Sequence, residues 1–153
     1  MIDKKGPLHN FADRDHCLQY MAAIGMIFGG LTARDYEDAT AADPRIDALR
    51  AKMVVREDRR YSRDYLDPGK RSNTNALSVH FADGTRTPRV EVEYPLGHRA
   101  RRKEGKPLLL KKFEASVTRA FSPKQRRAVL DICSDRARLA ATPVNELMDL
   151  LAV

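Results

Sequence analysis

Apolar positions recur at helical spacing in the first third of the chain. The pattern predicts a helix from Asp13 or Asp15 to Phe28, ended by the glycine pair at positions 29 and 30. From Tyr20 onward this helix is apolar on every side, which is typical of a helix that is buried all round. Two further helices are predicted, each after a capping residue: one from Thr32 with Asp35, and one from Pro44 after Asp43.

Alternation of apolar and polar residues characterises the middle of the chain. Residues 53–57 indicate a strand, and residues 59–75, rich in turn-forming residues, indicate a long loop. Residues 76–94 predict an antiparallel hairpin, because two alternating runs flank the turn dipeptide Asp83-Gly84. One face of this hairpin is expected to be covered, since so small a sheet needs more strands or a covering partner.

Helical patterns return after the hairpin. One helix is predicted from Pro107 and another from Pro123, with Ser122 as its N-cap and Gln125 placed to complete a capping box. This order predicts an α+β fold with a small antiparallel sheet. The sheet consists of the hairpin 76–94 plus a strand near 53–57, packed with helices and followed by C-terminal helices.

Composition narrows the class of protein. A chain of 153 residues with 42% hydrophobic residues is large enough for one domain with a core. No apolar run is long enough to span a membrane, and the first residues lack the apolar segment of a secretory signal, so a cytoplasmic location is expected. Cys17 and Cys133 form no metal-ligand pattern and are expected to be reduced.

Positive charge is concentrated after the hairpin. The net charge is +7, and residues 98–112 hold seven Lys or Arg against one Glu. Such a cluster attracts nucleic acid, phosphate or a polycarboxylate, unless it is only a solvated loop. Residues 97–106 contain no aromatic side chain for base stacking, which disfavours nucleic acid as a partner. Arg99, Arg101 and Arg102 have the chemistry to grip carboxylates.

Two side chains of the first predicted helix are candidates for acid–base chemistry. The sequence contains no metal-binding spacing, no glycine-rich phosphate loop and no nucleophile motif. His16 and Tyr20 lie four residues apart, a spacing that places them on one helix face. Both side chains are able to transfer protons, so one interpretation is that they line the wall of an active-site cleft. The alternative is a satisfied core tyrosine and a histidine at a helix start.

Several long segments resemble one known family. The chain resembles the 2-methylcitrate dehydratase branch of the MmgE/PrpD family in DKKGPLHNFADRDHCLQYMAAIGMIFGGLTARDYED, DPGKRSNTNALSVHFADGTR and VEYPLGHRARRKEGKPLLLKKF. DPRIDALR and the final LDICSDRARLAATPVNELMDLL also match. The likeness follows the family order over nearly the whole chain.

The resemblance implies a hydro-lyase with two domains. Its members have a large helical domain and a smaller α+β domain, with the active site in the cleft between them. Within the family, the 2-methylcitrate dehydratases convert 2-methylcitrate to 2-methyl-cis-aconitate and water in the methylcitrate cycle of propionate breakdown, and need no cofactor and no iron–sulfur cluster. Residues 1–106 would be an incomplete α+β lid domain. Residues 107–153 would be helices that pack on a helical domain absent from this sequence, which is expected to be a C-terminal fragment that is inactive alone.

The resemblance also implies roles for individual residues. Tyr20 matches a tyrosine that lines the family active site, and His16 is a weaker catalytic candidate. Arg99 and Arg101 are assigned to binding the tricarboxylate substrate. The expected mechanism is elimination, in which a base removes a proton next to a carboxylate and an acid protonates the departing hydroxyl.

Other functions stay open on the sequence. One is a binding or interaction module without catalytic activity, which would pair with a separate helical subunit or form a homo-oligomer through its incomplete sheet. Another is a family member acting on a different polycarboxylate, such as citrate or cis-aconitate. Neither a membrane nor nucleic acid is expected as a partner.

Overall fold

Two compact units, Met1–Asp58 and Arg59–Val153, make up the chain. The computed structural model describes residues 3–152. In the first unit lie α1 (Phe11–Asp15), α2 (Leu18–Phe28), the 3₁₀ helix η1 (Ala33–Tyr36), α3 (Asp38–Ala41) and α4 (Pro44–Arg50). The second unit contains α5 (Arg59–Leu66), β1 (Asn75–Leu77), β2 (Val90–Val92), η2 (Arg99–Arg101), α6 (Arg102–Ala120), α7 (Pro123–Ser134), α8 (Arg136–Ala141) and α9 (Val144–Leu151). Helices before and after a small antiparallel sheet confirm the predicted α+β class.

The first predicted helix is in fact two helices. The side chain of Asn10, rather than an aspartate, caps α1, and His16 is the C-cap of that short helix. Cys17 then takes an extended conformation, with φ −121° and ψ 108°, before α2 begins. The prediction of one continuous helix was therefore wrong. The helix end at Gly29 was right, since this residue has the left-handed φ of 76° that glycine tolerates.

One face of α2 supplies the core of the first unit. Cys17, Tyr20, Ala23 and Ile24 form a buried cluster with Ile46 of α4. The opposite face is not covered: Met26 is 41% exposed and Phe28 48%. The prediction of a helix buried all round is wrong for this chain, because the helices of this unit cover only its inner face.

Two of the capping predictions in the first unit are confirmed, those after α2. Thr32 and Asp35 form a capping box, although the helix they start is the short η1 rather than one long helix. Asp43 accepts a hydrogen bond from the backbone of Arg45, with Pro44 at the first position of α4. These caps depend on contacts within three residues, which is why the local sequence predicted them.

Residues 53–57 do not form the predicted strand. They have no regular secondary structure, and Val54 is 74% exposed. A strand is defined by its ladder partner, and in residues 3–152 the sheet consists of β1 and β2 alone. The apolar pattern of this segment therefore has no neighbour with which to pair.

The predicted loop 59–75 begins with a helix, α5. Residues 59–66 contain neither glycine nor proline, and the turn-forming residues that suggested a loop are concentrated from Asp67 onward. Helix α5 is tied to the sheet by polar contacts, because the hydroxyl of Tyr61 donates a hydrogen bond to Glu91 of β2. The loop prediction was wrong for residues 59–66.

The predicted hairpin is confirmed but is shorter than expected. Its register pairs Asn75 with Val92 and Leu77 with Val90. Beyond an isolated bridge between residues 80 and 86, the chain turns at Gly84, whose φ is +85°. Pro88 lies between this bridge and β2 and has no N–H to donate, so the ladder is interrupted there.

The apolar face of the hairpin is exposed in this chain. The exposed fractions are 45% for Leu77, 62% for Val90 and 46% for Val92. The expectation of a covered face is wrong for these residues. Among the described residues of the second unit, none packs against these three side chains closely enough to bury them.

Helix α6 begins earlier than predicted. It starts at Arg102 and contains Pro107 in its second turn, rather than beginning at that proline. The basic segment predicted as a solvated loop therefore forms η2 and the first turns of α6. Pro107 is the sixth residue of α6 and lies past the first four amides, which lack intrahelical partners, so its missing N–H removes one hydrogen bond of the helix.

The last helices form a small bundle with a narrow core. Val117 of α6 and Val129 of α7 are buried, at 5% and 1% exposure. Ser122 caps α7 as predicted. Gln125 does not complete a capping box: its amide donates to the backbone oxygens of Leu150 and Ala152, which ties the end of α9 to α7.

Three predictions concern the chain as a whole. The predicted division at residue 106 refers to packing on a helical domain and stays a prediction. Cys17 and Cys133 are both free thiols, as expected. None of the helices in residues 3–152 combines the length and the apolar character needed to cross a bilayer.

Candidate active site

Tyr20 lies at the centre of the first unit. Its side chain is 2% exposed, and its hydroxyl donates a 2.6 Å hydrogen bond to the backbone oxygen of Asp35. Its ring stacks on that of Tyr36 at 6.2 Å. Burial raises the pKa of Tyr20, opposed in part by the charge of Arg14, so the hydroxyl keeps its proton at neutral pH. In this chain Tyr20 has the contacts of a satisfied core tyrosine.

Arg14 is a neighbour of Tyr20 that the sequence did not single out. It is 6% exposed, and its guanidinium donates to the backbone oxygen of Tyr36 at 2.7 Å. It also pairs with Asp38 at 2.7 Å. Arg14 and Tyr20 thus both donate to backbone oxygens of η1. A buried arginine was hard to foresee, because arginine is usually exposed unless it is paired.

His16 does not share a helix face with Tyr20. It lies between α1 and α2 as the C-cap of α1, and its imidazole is 66% exposed. Its Nδ1 contacts the carboxylate of Asp15. The predicted i, i+4 arrangement is wrong because the chain leaves the helical path at Cys17. Its imidazole remains accessible to a reacting group.

A depression of about 610 Å³ on the first unit is lined by other residues. Lys4, Gln19, Asp47 and Arg50 contribute polar side chains to it. Lys4 pairs with Asp13 at 2.7 Å and Arg50 pairs with Asp47, whereas Lys5, which also lines the depression, is exposed. Two of the three cations that line this depression are therefore already paired with carboxylates.

Arg99 and Arg101 lie together in η2, in the second unit. Arg99 donates to the backbone oxygen of Gly69 at 2.8 Å. Arg101 donates to the backbone oxygen of Tyr94 at 3.1 Å and pairs with Glu104 at 2.7 Å. The Glu104 carboxylate raises the pKa of Arg101. Both predicted substrate-binding arginines are thus already engaged with the protein itself.

A second polar cluster, which the sequence did not predict, joins α5 to β2. The guanidinium groups of Arg60 and Arg89 lie 4.8 and 5.6 Å from the centre of the Tyr61 ring. The Tyr61 hydroxyl donates to Glu91, and this bond, followed by that of Arg60, lowers the pKa of the Glu91 carboxyl. Sequence reasoning missed this cluster because it took residues 59–75 for a loop.

The described residues contain no metal-binding constellation. Among residues 3–152, no group of three or more His, Cys, Asp or Glu side chains is placed to hold a metal ion.

Comparison with known proteins places the chain in context. Residues 1–136 match the MmgE/PrpD C-terminal domain. The chain is 58% identical over 153 residues to a 2-methylcitrate dehydratase from Cupriavidus necator, covering all of this chain and 32% of that protein. Identity is 53% to the 2-methylcitrate dehydratase of Escherichia coli K12, again over 32% of its length. A mitochondrial 2-methylcitrate dehydratase from Yarrowia lipolytica is 49% identical over 98% of this chain. The chain thus spans about a third of the length of these relatives.

Proposed function

This chain belongs to the MmgE/PrpD family, and from that premise we propose that it is the C-terminal part of a 2-methylcitrate dehydratase. The observation that carries the proposal is 58% identity over all 153 residues to a protein of that name. Because the chain spans 32% of that relative, the complete activity requires residues that this sequence does not contain. The missing partner in this proposal is the helical domain of the same enzyme.

The proposed reaction is the elimination of water from a tricarboxylate. A base removes a proton next to a carboxylate, and the C–H electron pair forms the new C=C bond. The C–O bond breaks, and an acid protonates the departing hydroxyl to give water. Cationic groups and hydrogen-bond donors stabilise the charge that develops on the carboxylate. We propose that this chemistry proceeds without a cofactor, on the basis of the family resemblance.

Tyr20 is the proposed catalytic residue of this chain, with His16 as the second candidate. The support for Tyr20 is its match to the family segment around His16–Tyr20. The Tyr20 hydroxyl proton is engaged with Asp35, but the oxygen keeps a lone pair with which to accept a further hydrogen bond. Tyr20 would therefore orient the substrate, or pass its proton on when the bond to Asp35 is exchanged. His16 has an accessible ring for proton transfer.

The remaining assignments complete the proposal. Arg99 and Arg101 would favour a polycarboxylate through their positive charge, and a homo-oligomer is a possible assembly. The two free thiols suit a reducing compartment such as the cytoplasm.

A dehydratase assay with 2-methylcitrate tests the proposal. The chain is assayed alone, mixed with a separately produced helical domain, and grafted in place of the matched third of the Cupriavidus necator relative. We expect no turnover from the chain alone and turnover from the graft. Activity of the chain alone would overturn the proposal that the site is incomplete. An inactive graft beside an active parent would overturn the proposed function.

The role of Tyr20 is tested in the same graft. Tyr20→Phe should lower kcat by about a hundredfold or more, the usual size of a positioned proton-transfer group. Tyr36→Phe is the matched control, because Tyr36 packs against Tyr20 but is not the proposed catalytic residue. Near-normal turnover of Tyr20→Phe would reject a catalytic role for the residue.

A second candidate function is a non-catalytic interaction module. The observation that favours it is the exposed apolar face of the hairpin, formed by Leu77, Val90 and Val92. A graft that turns over 2-methylcitrate would reject this candidate. Parallel assays with citrate and cis-aconitate distinguish the proposed substrate from other polycarboxylates.

A further inference from the structure

Arg71 has a backbone conformation that arginine rarely adopts. Its φ is +46°, and it is the one residue other than glycine with a positive φ in residues 3–152. Glycine and, less readily, asparagine or aspartate occupy this region at low cost, whereas arginine gains nothing there from its backbone. The reason for an arginine at this position must therefore lie in its side chain.

The loop that carries Arg71, residues 67–71, is fastened to its surroundings at several points. The backbone N–H groups of Gly69 and Arg71 both bond to Asp67, at 2.7 Å each. Lys70 pairs with Asp64 at 2.8 Å. Ser72, which follows the loop, is fully buried. The strained conformation of Arg71 is thus held by a rigid frame, a situation that recurs at functional sites.

Arg99 contributes to this frame from η2. Its guanidinium donates to the backbone oxygens of Gly69 and Pro68, at 2.8 and 3.4 Å. Both bonds come from Nη2 of Arg99, and they connect η2 to the loop. This assigns to Arg99 the position of loop 67–71 rather than direct contact with a substrate.

The guanidinium of Arg71, in contrast, is available. The side chain is exposed and makes no hydrogen bond or ion pair with any side chain or backbone group that the structure describes. The acids nearest in sequence are occupied, since Asp64 pairs with Lys70 and Asp67 accepts from Gly69. An arginine with its whole planar fork available binds a carboxylate through two parallel hydrogen bonds.

We propose that Arg71 binds a carboxylate of the substrate, and that Arg99 is a positioning residue that holds loop 67–71 in place for it. The identity of the substrate as a tricarboxylate rests on the proposed function. The proposal moves carboxylate recognition from Arg101, whose Nε, Nη1 and Nη2 all donate to the protein, and from Arg99, whose Nη2 donates to loop 67–71, to Arg71, whose guanidinium makes no such bond with the described residues.

The first test measures binding by the 153-residue chain itself. Citrate is titrated into isotope-labelled protein, and amide shifts of residues 67–72 are followed by NMR at constant ionic strength. We expect these shifts to saturate with citrate, to be absent with sodium chloride and to be lost in Arg71→Gly. Absent shifts, equal shifts with chloride, or unchanged shifts in Arg71→Gly would each overturn the proposal.

Arg71→Gly separates binding from backbone strain. Glycine is at ease at φ +46°, so this variant should keep or raise the melting temperature while it loses the guanidinium. Arg71→Lys keeps the charge but not the fork and should restore part of the binding. Arg127→Ala, at an exposed position of α7, is the control for loss of one positive charge.

The second test measures steady-state kinetics in the graft on the Cupriavidus necator relative. Arg71→Gly should raise KM for 2-methylcitrate by about tenfold or more with a smaller change in kcat, since it removes a charge-assisted contact formed before and during reaction. Arg99→Met should raise KM less. The double variant should be no worse than Arg71→Gly, because both act through the same contact.

The outcomes of this test are distinct. A KM within twofold of the unmodified graft for Arg71→Gly overturns the proposal, and additive effects of the two variants overturn the positioning role of Arg99. If the unmodified graft is inactive beside an active parent, the proposed function fails, while the citrate titration still decides whether Arg71 is a carboxylate site.

Discussion

Helix α2 and the hairpin are both rich in apolar residues, but their side chains have opposite environments. In the first unit, Tyr20, Ile24 and Ile46 are at most 2% exposed. In the second unit, Leu77, Val90 and Val92 are all at least 45% exposed. The first set obtains its stability from hydrophobic contacts within its own unit, whereas the second contributes little apolar burial.

Polar contacts take the place of a core around the hairpin. Tyr61 and Glu91 join α5 to β2, and Arg101 joins η2 to the strand end at Tyr94. Exposed ion pairs of this kind contribute little each and are screened by salt. An amphipathic pattern therefore predicts which residues are suited to burial. Whether they are buried depends on which surfaces of the chain pack against each other.

Truncation of a core residue should have the largest effect. Ile24→Ala removes a fully buried side chain and should lower the free energy of unfolding by about 2–5 kcal/mol. Leu77→Ala, the matched truncation on the hairpin, should change it by roughly 0.5 kcal/mol or less, because that side chain is 45% exposed. Urea unfolding followed by circular dichroism measures both, and equal losses would contradict the comparison.

Two glycines should respond in opposite ways to the same substitution. A Cβ on Gly105 of α6 would overlap the backbone oxygen of Leu96, which has no flexible end to move away, so Gly105→Ala should destabilise by about 1–3 kcal/mol. A Cβ on Gly25 of α2 meets nothing within 4 Å, and Gly25→Ala should stabilise by about 0.5–1 kcal/mol. Thermal unfolding decides the signs; stabilisation by Gly105→Ala would contradict the close approach.

Local signals in the sequence predicted much of the fold. The caps at Asp35, Asp43 and Ser122, the helix end at Gly29 and the turn at Gly84 all depend on contacts within a few residues. The strand predicted at 53–57 failed because pairing is a long-range property, and residues 3–152 provide it with no partner. The hairpin pattern was right about alternation but not about burial.

The candidate site was less predictable than the fold. The i, i+4 spacing of His16 and Tyr20 presupposed a continuous helix, and the extended backbone of Cys17 breaks it. The basic cluster was the reason to single out Arg99 and Arg101, but charge alone does not reveal that both bond to the protein. The strain at Arg71 has no signal in residue type at all, since it is a property of φ.

Removal of a single tyrosine hydroxyl should lower the free energy of unfolding more in the first unit than in the second, although by less than truncation of a core side chain. Tyr20→Phe leaves the Asp35 carbonyl without its buried donor and should cost about 1 kcal/mol of unfolding free energy. Tyr61→Phe removes an exposed hydroxyl from Glu91, where water is able to replace it, and should cost less. Urea midpoints of the two variants measure the difference, and a larger loss for Tyr61→Phe would contradict the assignment of the core to the first unit.

The smallest expected effect is on the pH dependence of stability that arises from the contact between Tyr61 and Glu91. Hydrogen bonds from Tyr61 and then Arg60 lower the pKa of Glu91 in the folded protein from its ordinary 4.5. The unfolded chain therefore binds a proton at a higher pH than the folded one, so this contribution is present above pH 4.5 and is lost as the pH falls through the folded pKa. Glu91→Gln should lower stability slightly at pH 7 and flatten its decline as the pH falls below 4.5. Glu146→Gln, on α9, is the control, because Glu146 has no ion pair among the described residues. Melting temperatures measured across this pH range test the effect, and parallel curves for Glu91→Gln and the unmodified chain would show that the Tyr61–Glu91 contact does not stabilise the second unit.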